Sequence, residues 1–186
     1  MITIKDIQEL KEIEHFPTLE KAIHTICILD KKEIDDVEQM KVKDLFKRFN
    51  ELTDKLQFKD EIQLKFKVKG RRFRMIPNAT QMQGQHFIAL QQYDMKDVVT
   101  NLHEIMALLS EEVDIFGKPK KIKHIGKHFE EVSKLFLDMP YQIAHGYSLF
   151  FSLLYPKLLD ATQTYLSQMV KKLQDQAIQY KDGLNL

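Results

Sequence analysis

One stretch constrains the fold more than any other. EIQLKFKVKGRRFRMIP, Glu61 to Pro77, interrupts long runs of helical spacing with a period of two. Ile62, Leu64, Phe66 and Val68 alternate with Gln63, Lys65, Lys67 and Lys69, Gly70 supplies a turn, and Phe73 and Met75 resume the apolar side. Alternation sends successive side chains to opposite faces of a pleated strand, so the stretch predicts a β-hairpin over residues 61–76. Its outward side carries Lys65, Lys67, Lys69, Arg72 and Arg74, with Arg71 at the turn. Two readings of that side stand together: lysines that blunt an edge against pairing with other chains, and a ribbon that touches phosphates or an acidic partner.

Everything around the hairpin reads as helix. Thr3 and Asp6 are spaced for a capping box ahead of IKDIQELKEIEH, in which Ile4, Ile7 and Leu10 share a side. TLEKAIHTICILD follows Pro17, with Leu19, Ala22, Ile23, Ile26 and Cys27 at helical spacing, and KKEIDDVEQM is a short helical segment. VKDLFKRFNELTDKLQF places Leu45, Phe46, Phe49, Leu52 and Leu56 on one stripe. After Pro77 come a three-turn helix in QMQGQHFIALQQY and a helix over MKDVVTNLHEIMALLSEE, capped by Asp94 with Asp97 at the box position. A loop at Gly117 and Pro119 precedes a helix over KHIGKHFEEVSKLFLDM that stops near Pro140. The last and most apolar helix begins at Tyr141 and is kinked or split at Pro156, because proline removes a backbone donor and clashes with the turn before it. The expected fold class is mostly α (α+β): a helical bundle with one β-hairpin at 61–76, a single domain over 1–186, and a C-terminal helix kinked near residue 156.

Charge and composition narrow the function classes. Twenty-eight basic residues against 27 acidic ones leave a formal charge of +1, which disfavours a dedicated nucleic-acid binder. The lone Cys27 sits in apolar HTICIL and reads as an inert thiol. The charged N-terminus has no signal-peptide core, and the apolar window at residues 147–155 falls short of the ~20 residues a bilayer span needs, so no membrane role and a cytosolic location are expected. His124 and His128 are four apart, but IGK between them lacks the glutamate of a zinc-protease helix. His103 and Glu104 do not point the same way on a helix, and the chain has no P-loop, dinucleotide fingerprint or nucleophile elbow. The expectation is a non-enzymatic protein with no catalytic residues, no metal site and no cofactor.

Two segments carry the interaction signals. KPKKIKHIGKH gathers basic residues, Lys118, Lys120 and Lys121 among them, ahead of a helix start where the macrodipole disfavours positive charge. LFFSLLY is apolar around more than one helical face, which makes it either a buried helix or a contact surface. Tyr147, Phe150, Phe151, Leu154 and Tyr155 are therefore candidate partner-binding residues, together with the three lysines. Beyond them, Leu159, Leu166, Leu173 and Tyr180 recur every seven residues as a short coiled-coil-like seam.

The order of these segments resembles a family of small helical phage proteins encoded among tail and virion genes and regarded as tail-assembly-chaperone-like. ITIKDIQELKEIEHFPTLEKAIHTICIL, the acidic KKEIDDVEQMKVKDL, the hairpin LKFKVKGRRFRMI, MQGQHFIALQQY, NLHEIMALLS and FEEVSKLFLDMPYQIAHGYSLFF carry the resemblance over about residues 2–155. It implies a binding role without chemistry: shielding a long, aggregation-prone tape-measure protein in the host cytoplasm while the tail tube polymerises. The implied partners are phage proteins, the tape-measure or tail-tube protein first, with self-association besides. A structural subunit of the virion (neck, ring or tail component) is the alternative, and a basic helical nucleic-acid-associated adaptor is the third reading.

Overall fold

The hydroxyl of Thr3 accepts from the backbone N–H of Asp6 while the Asp6 carboxylate accepts from that of Thr3, so the expected capping box starts α1, Ile4–Glu12. The computed structural model describes residues 1–76, 84–93, 97–121, 125–152, 167, 170 and 171. The chain divides into two compact units, Met1–Leu149 and Phe150–Leu186. In the second unit the described residues are helical, and the expected kink near residue 156 and the heptad seam lie outside the described residues.

In the first unit, α2 (Thr18–Asp30), α3 (Ile34–Glu38) and α4 (Val42–Asp54) follow. Ala22, Ile26, Val37, Leu45 and Leu52 close one core between them, with Ile23, Cys27, Phe46 and Phe49 packed against it. Leu19, expected on the buried stripe, is instead 47% exposed, because it falls in the first turn of α2, ahead of the surfaces that α3 and α4 cover. The Arg48 guanidinium grips Asp30 with two bonds, 2.7 Å from Nε and 2.6 Å from Nη2, and holds the Asp30 carboxyl below its ordinary pKa. That fork fastens α4 to the end of α2.

The hairpin is present but shorter than its pattern. β1 (Lys65–Val68) and β2 (Arg71–Met75) are joined by Lys69 and Gly70, both with positive φ, 43° and 80°. Two left-handed residues in a two-residue loop match the twist of the strands. Ile62 and Leu64 do not join the apolar face and stay exposed, and the ladder with β2 goes no further than the bond from the Met75 N–H to Leu64 O.

The helix expected over residues 95–112 is the main correction. Asp94, and with it the expected capping box, lies outside the described residues; Asp97 has other described partners. It accepts from the Thr100 N–H and binds Lys11 of α1. After α5 (Gly84–Leu90), the helix is only α6, Leu102–Leu108, and Ser110–Val113 form a strand, β3, antiparallel to β2. The open side of β2 and the charge match of Arg74 opposite Glu111 override the helical spacing. Among the described residues the sheet is thus three-stranded, ordered β1-β2-β3, with β1 at an edge.

One face of the sheet makes the second core. Phe66 and Phe73 stack at 5.6 Å, and Phe136 of α7 (Ile125–Phe136) meets Phe73 edge-on at 4.8 Å. Residues 141–149 are helical and bring Tyr147 edge-on to Phe66 at 5.5 Å. The chain start is laced to this region: Ile4 N–H donates to Met139 O and Tyr141 N–H to Ile2 O. Mostly α, with a small antiparallel sheet, is the observed class.

Candidate functional site

The two-residue turn fixes the register Val68↔Arg71, Lys67↔Arg72, Phe66↔Phe73 and Lys65↔Arg74. With Phe66 and Phe73 facing the core, Lys65, Lys67, Arg72 and Arg74 must share the outer face. The Met75 N–H donates to Leu64 O at 2.9 Å, so the hydrogen-bonded pairs are every second one from there. Lys65–Arg74 and Lys67–Arg72 therefore occupy the narrow, non-hydrogen-bonded positions, where paired side chains stand closest. Like charges directly opposite each other destabilise a sheet. Arg74 is relieved by Glu111 of β3 at 2.9 Å, but Lys65, Lys67 and Arg72 have no ion pair among the described residues.

Beyond β3 the chain doubles back over residues 114–119. Asp114 Oδ1 accepts from the N–H groups of Phe116 (2.8 Å) and Lys118 (2.9 Å), Gly117 turns with φ 80°, and Pro119 bridges back to Val113. This tight loop lifts Ile115 and Phe116 off the protein, 72% and 81% exposed. Between loop and strands lies an open cleft of about 380 Å³, lined by Lys65, Lys67, Arg72 and Arg74 on one side and by Asp114, Ile115 and Phe116 on the other. A surface that combines uncompensated cations with exposed apolar side chains suits an acidic, partly apolar protein surface.

The inner rim of the sheet is different: its charges are spent. Glu112, 6% exposed, is held by Arg71 and Lys120, and Arg71 reaches on to Glu131 of α7. Burial pushes the Glu112 carboxyl up, yet the two cations outweigh it and the group sits below its ordinary range. Lys69 pairs with Asp138. Arg71, Lys69 and Lys120 thus stabilise the domain and are not available to phosphates.

Of the residues singled out in the sequence, Tyr147 is wholly buried in the chain's own aromatic core, which leaves no surface for a partner. Phe150 is half-buried and Phe151 buried, both in the second unit, while Leu154 and Tyr155 lie outside the described residues. Lys118 and Lys121 are exposed, and Lys120 is turned to Glu112. His124 is outside the described residues, and no group of three metal-binding side chains occurs among those described. His103 meets the Gln8 amide at 3.1 Å, and burial lowers its pKa. Among the described residues no helix is long and apolar enough to cross a membrane. Ile115 and Phe116 were readable only as loop; their signal was an apolar pair set between Asp114 and Gly117, where a turn must expose it.

No family model, curated protein or solved structure matches this chain.

Proposed function

We propose that this chain is a non-enzymatic assembly protein of the phage tail-module type, a tail-assembly-chaperone-like factor that works by protein–protein contact through the outer face of its sheet. The observation that supports this reading is the cleft in which Lys65, Lys67 and Arg72 stand uncompensated beside the exposed Ile115 and Phe116. Repulsion built into the narrow pairs of a sheet is relieved when an acidic surface covers it, and the two apolar side chains gain from the same burial. In this reading the aromatic helix near Tyr147 is scaffold, and the contact lies on the opposite side of the sheet. The client would be a long helical protein with an apolar seam, covered by many weak contacts that let go when the tube replaces them. Co-expression with the long helical protein of the same tail module tests it: more soluble client and a shared pull-down are expected, and a client whose solubility does not change overturns the reading.

A further inference from the structure

The two edges of the sheet are finished differently. Outside β3 the chain returns as residues 118–120. Asp114 N–H donates to Lys118 O and Lys120 N–H to Glu112 O, both at 2.9 Å. Pro119, which has no N–H to offer, bridges to Val113 between them. Outside β1 no strand is paired among the described residues. Leu64, Phe66 and Val68 turn their backbone groups to β2, so those of Lys65 and Lys67 point away from the sheet and have no hydrogen-bond partner among the described residues.

Two further observations mark this open edge. Ile62 and Leu64, which lead into β1 on the apolar side of its alternation, are 44% and 53% exposed. The charge rows across the sheet also end there unbalanced. One runs Glu111–Arg74–Lys65, beginning on a carboxylate and stopping at the edge on a cation. The other runs Val113–Arg72–Lys67 and stops on a cation too.

We infer that β1 accepts an added strand: an extended segment of a partner protein in which acidic and apolar residues alternate. Pairing satisfies the N–H and C=O groups of Lys65 and Lys67, and the pleat then sorts the partner's side chains by face. Its carboxylates fall on the outer face, directly across from Lys65 and Lys67 at about 5 Å, and close both charge rows with a negative end. Its apolar residues fall on the inner face beside Phe66 and Leu64, where they cover exposed apolar area. A second copy is the poorest occupant, because pairing two β1 edges in either direction sets lysine against lysine. The same lysines that keep copies apart thus admit a strand of opposite charge. The edge is separate from the cleft's apolar wall, since β1 and the loop after β3 lie on opposite sides of β2. This second contact is recognised through the backbone and goes beyond the proposed function without depending on what fills the cleft.

Amide hydrogen exchange of the full chain, read residue by residue by NMR, tests this with a short capped peptide alternating valine with glutamate as the probe. In the free protein the Phe66 and Val68 amides are expected to exchange slowly and those of Lys65 and Lys67 fast. Saturating peptide is expected to slow the two lysine amides at least about tenfold. A peptide with lysine in place of glutamate, and one of the same composition with its valines and glutamates in separate blocks, are expected to leave them fast. Ile62→Ser with Leu64→Ser, at two exposed positions, should weaken binding of the alternating peptide by about tenfold. Ile115→Ser with Phe116→Ser should leave that binding unchanged. Lysine amides that are already slow in dilute protein, or that slow as protein concentration alone rises, show an edge covered by the chain itself or by a second copy and overturn the inference. So does equal protection by either control peptide or by a single-stranded oligonucleotide. A peptide that binds without slowing these amides, or whose binding is lost in the Ile115 and Phe116 variant, sits in the cleft and overturns it as well. A chain whose edge binds no peptide but which still keeps its client soluble would sink this inference and leave the proposed function standing.

Discussion

Lys67 of β1 stands directly across from Arg72 of β2, in a pair whose backbones do not bond to each other, so two cations share the closest side-chain spacing a sheet provides. Lys65 and Arg74 repeat the arrangement two residues away, with Glu111 relieving only the arginine.

Removing that repulsion should stabilise the isolated protein. Lys67→Glu is expected to raise stability by about 0.2–1 kcal/mol, the range for an opposite-charge cross-strand pair, seen as a higher urea midpoint with unchanged slope. A midpoint at or below the parent's would mean that the two side chains splay apart and do not repel.

Acid should unfold the domain through its held carboxylates. Arg48 depresses the Asp30 pKa and Lys11 that of Asp97, and at Glu112 the pull of Arg71 and Lys120 overcomes burial. A depressed folded pKa contributes stability that is complete above the unfolded value, here 3.8 for aspartate and 4.5 for Glu112, and is lost as pH falls through the folded one. The urea midpoint should therefore be flat with respect to these groups above about pH 5 and fall steeply below about pH 4. Glu112→Gln should cost about 1–3 kcal/mol at neutral pH by removing the buried charge that Arg71 and Lys120 share, and should flatten part of the acid slope.

Gly146 is required by its neighbours. A Cβ there would lie 2.2 Å from the backbone oxygen of Glu61 and 3.1 Å from the Cα of Ile62, so the helix over residues 141–149 and the segment entering β1 would have to separate. Gly146→Ala is expected to destabilise by about 1–3 kcal/mol or more, measured by thermal melting, although alanine is the better helix former. A stabilised variant would contradict this packing.

The phenol of Tyr147 has the opposite standing. Burial raises its pKa, with Ser110 pulling the other way, but neither Tyr147 Oη nor Ser110 Oγ attains hydrogen-bond geometry with any group among the described residues. Tyr147→Phe is expected to be neutral or stabilising, whereas Tyr147→Ala should cost about 3–5 kcal/mol through the cavity it opens beside Phe66. A marked loss in Tyr147→Phe would show that the hydroxyl is bonded in solution.

How much of this was legible in the sequence depended on range. Thr3 with Asp6, and Gly70, encode their own conformations within a few residues, so the first cap and the place of the hairpin turn were readable, while Lys69, expected on the strand's outward side, is the turn's other left-handed residue. The outer cations were readable as one side of a ribbon. Which of them stay uncompensated was not, because Glu111, Glu112 and Glu131 arrive from 37 to 60 positions away. β3 was hidden for the same reason: SEEV has little strand character of its own and becomes a strand only because β2 offers it a ladder. Tyr147 drew attention as a greasy contact residue because apolar spacing reports that a face is covered, without saying by what.

The central claim is that the outer face of the sheet is where this protein meets other protein. Its most direct test is co-expression of the long helical client with either the parent chain or the variant Ile115→Ser with Phe116→Ser, whose side chains are exposed and whose removal should leave the fold intact. The account predicts that the parent keeps the client soluble and that the folded variant does not. Equal protection by the two proteins would contradict it.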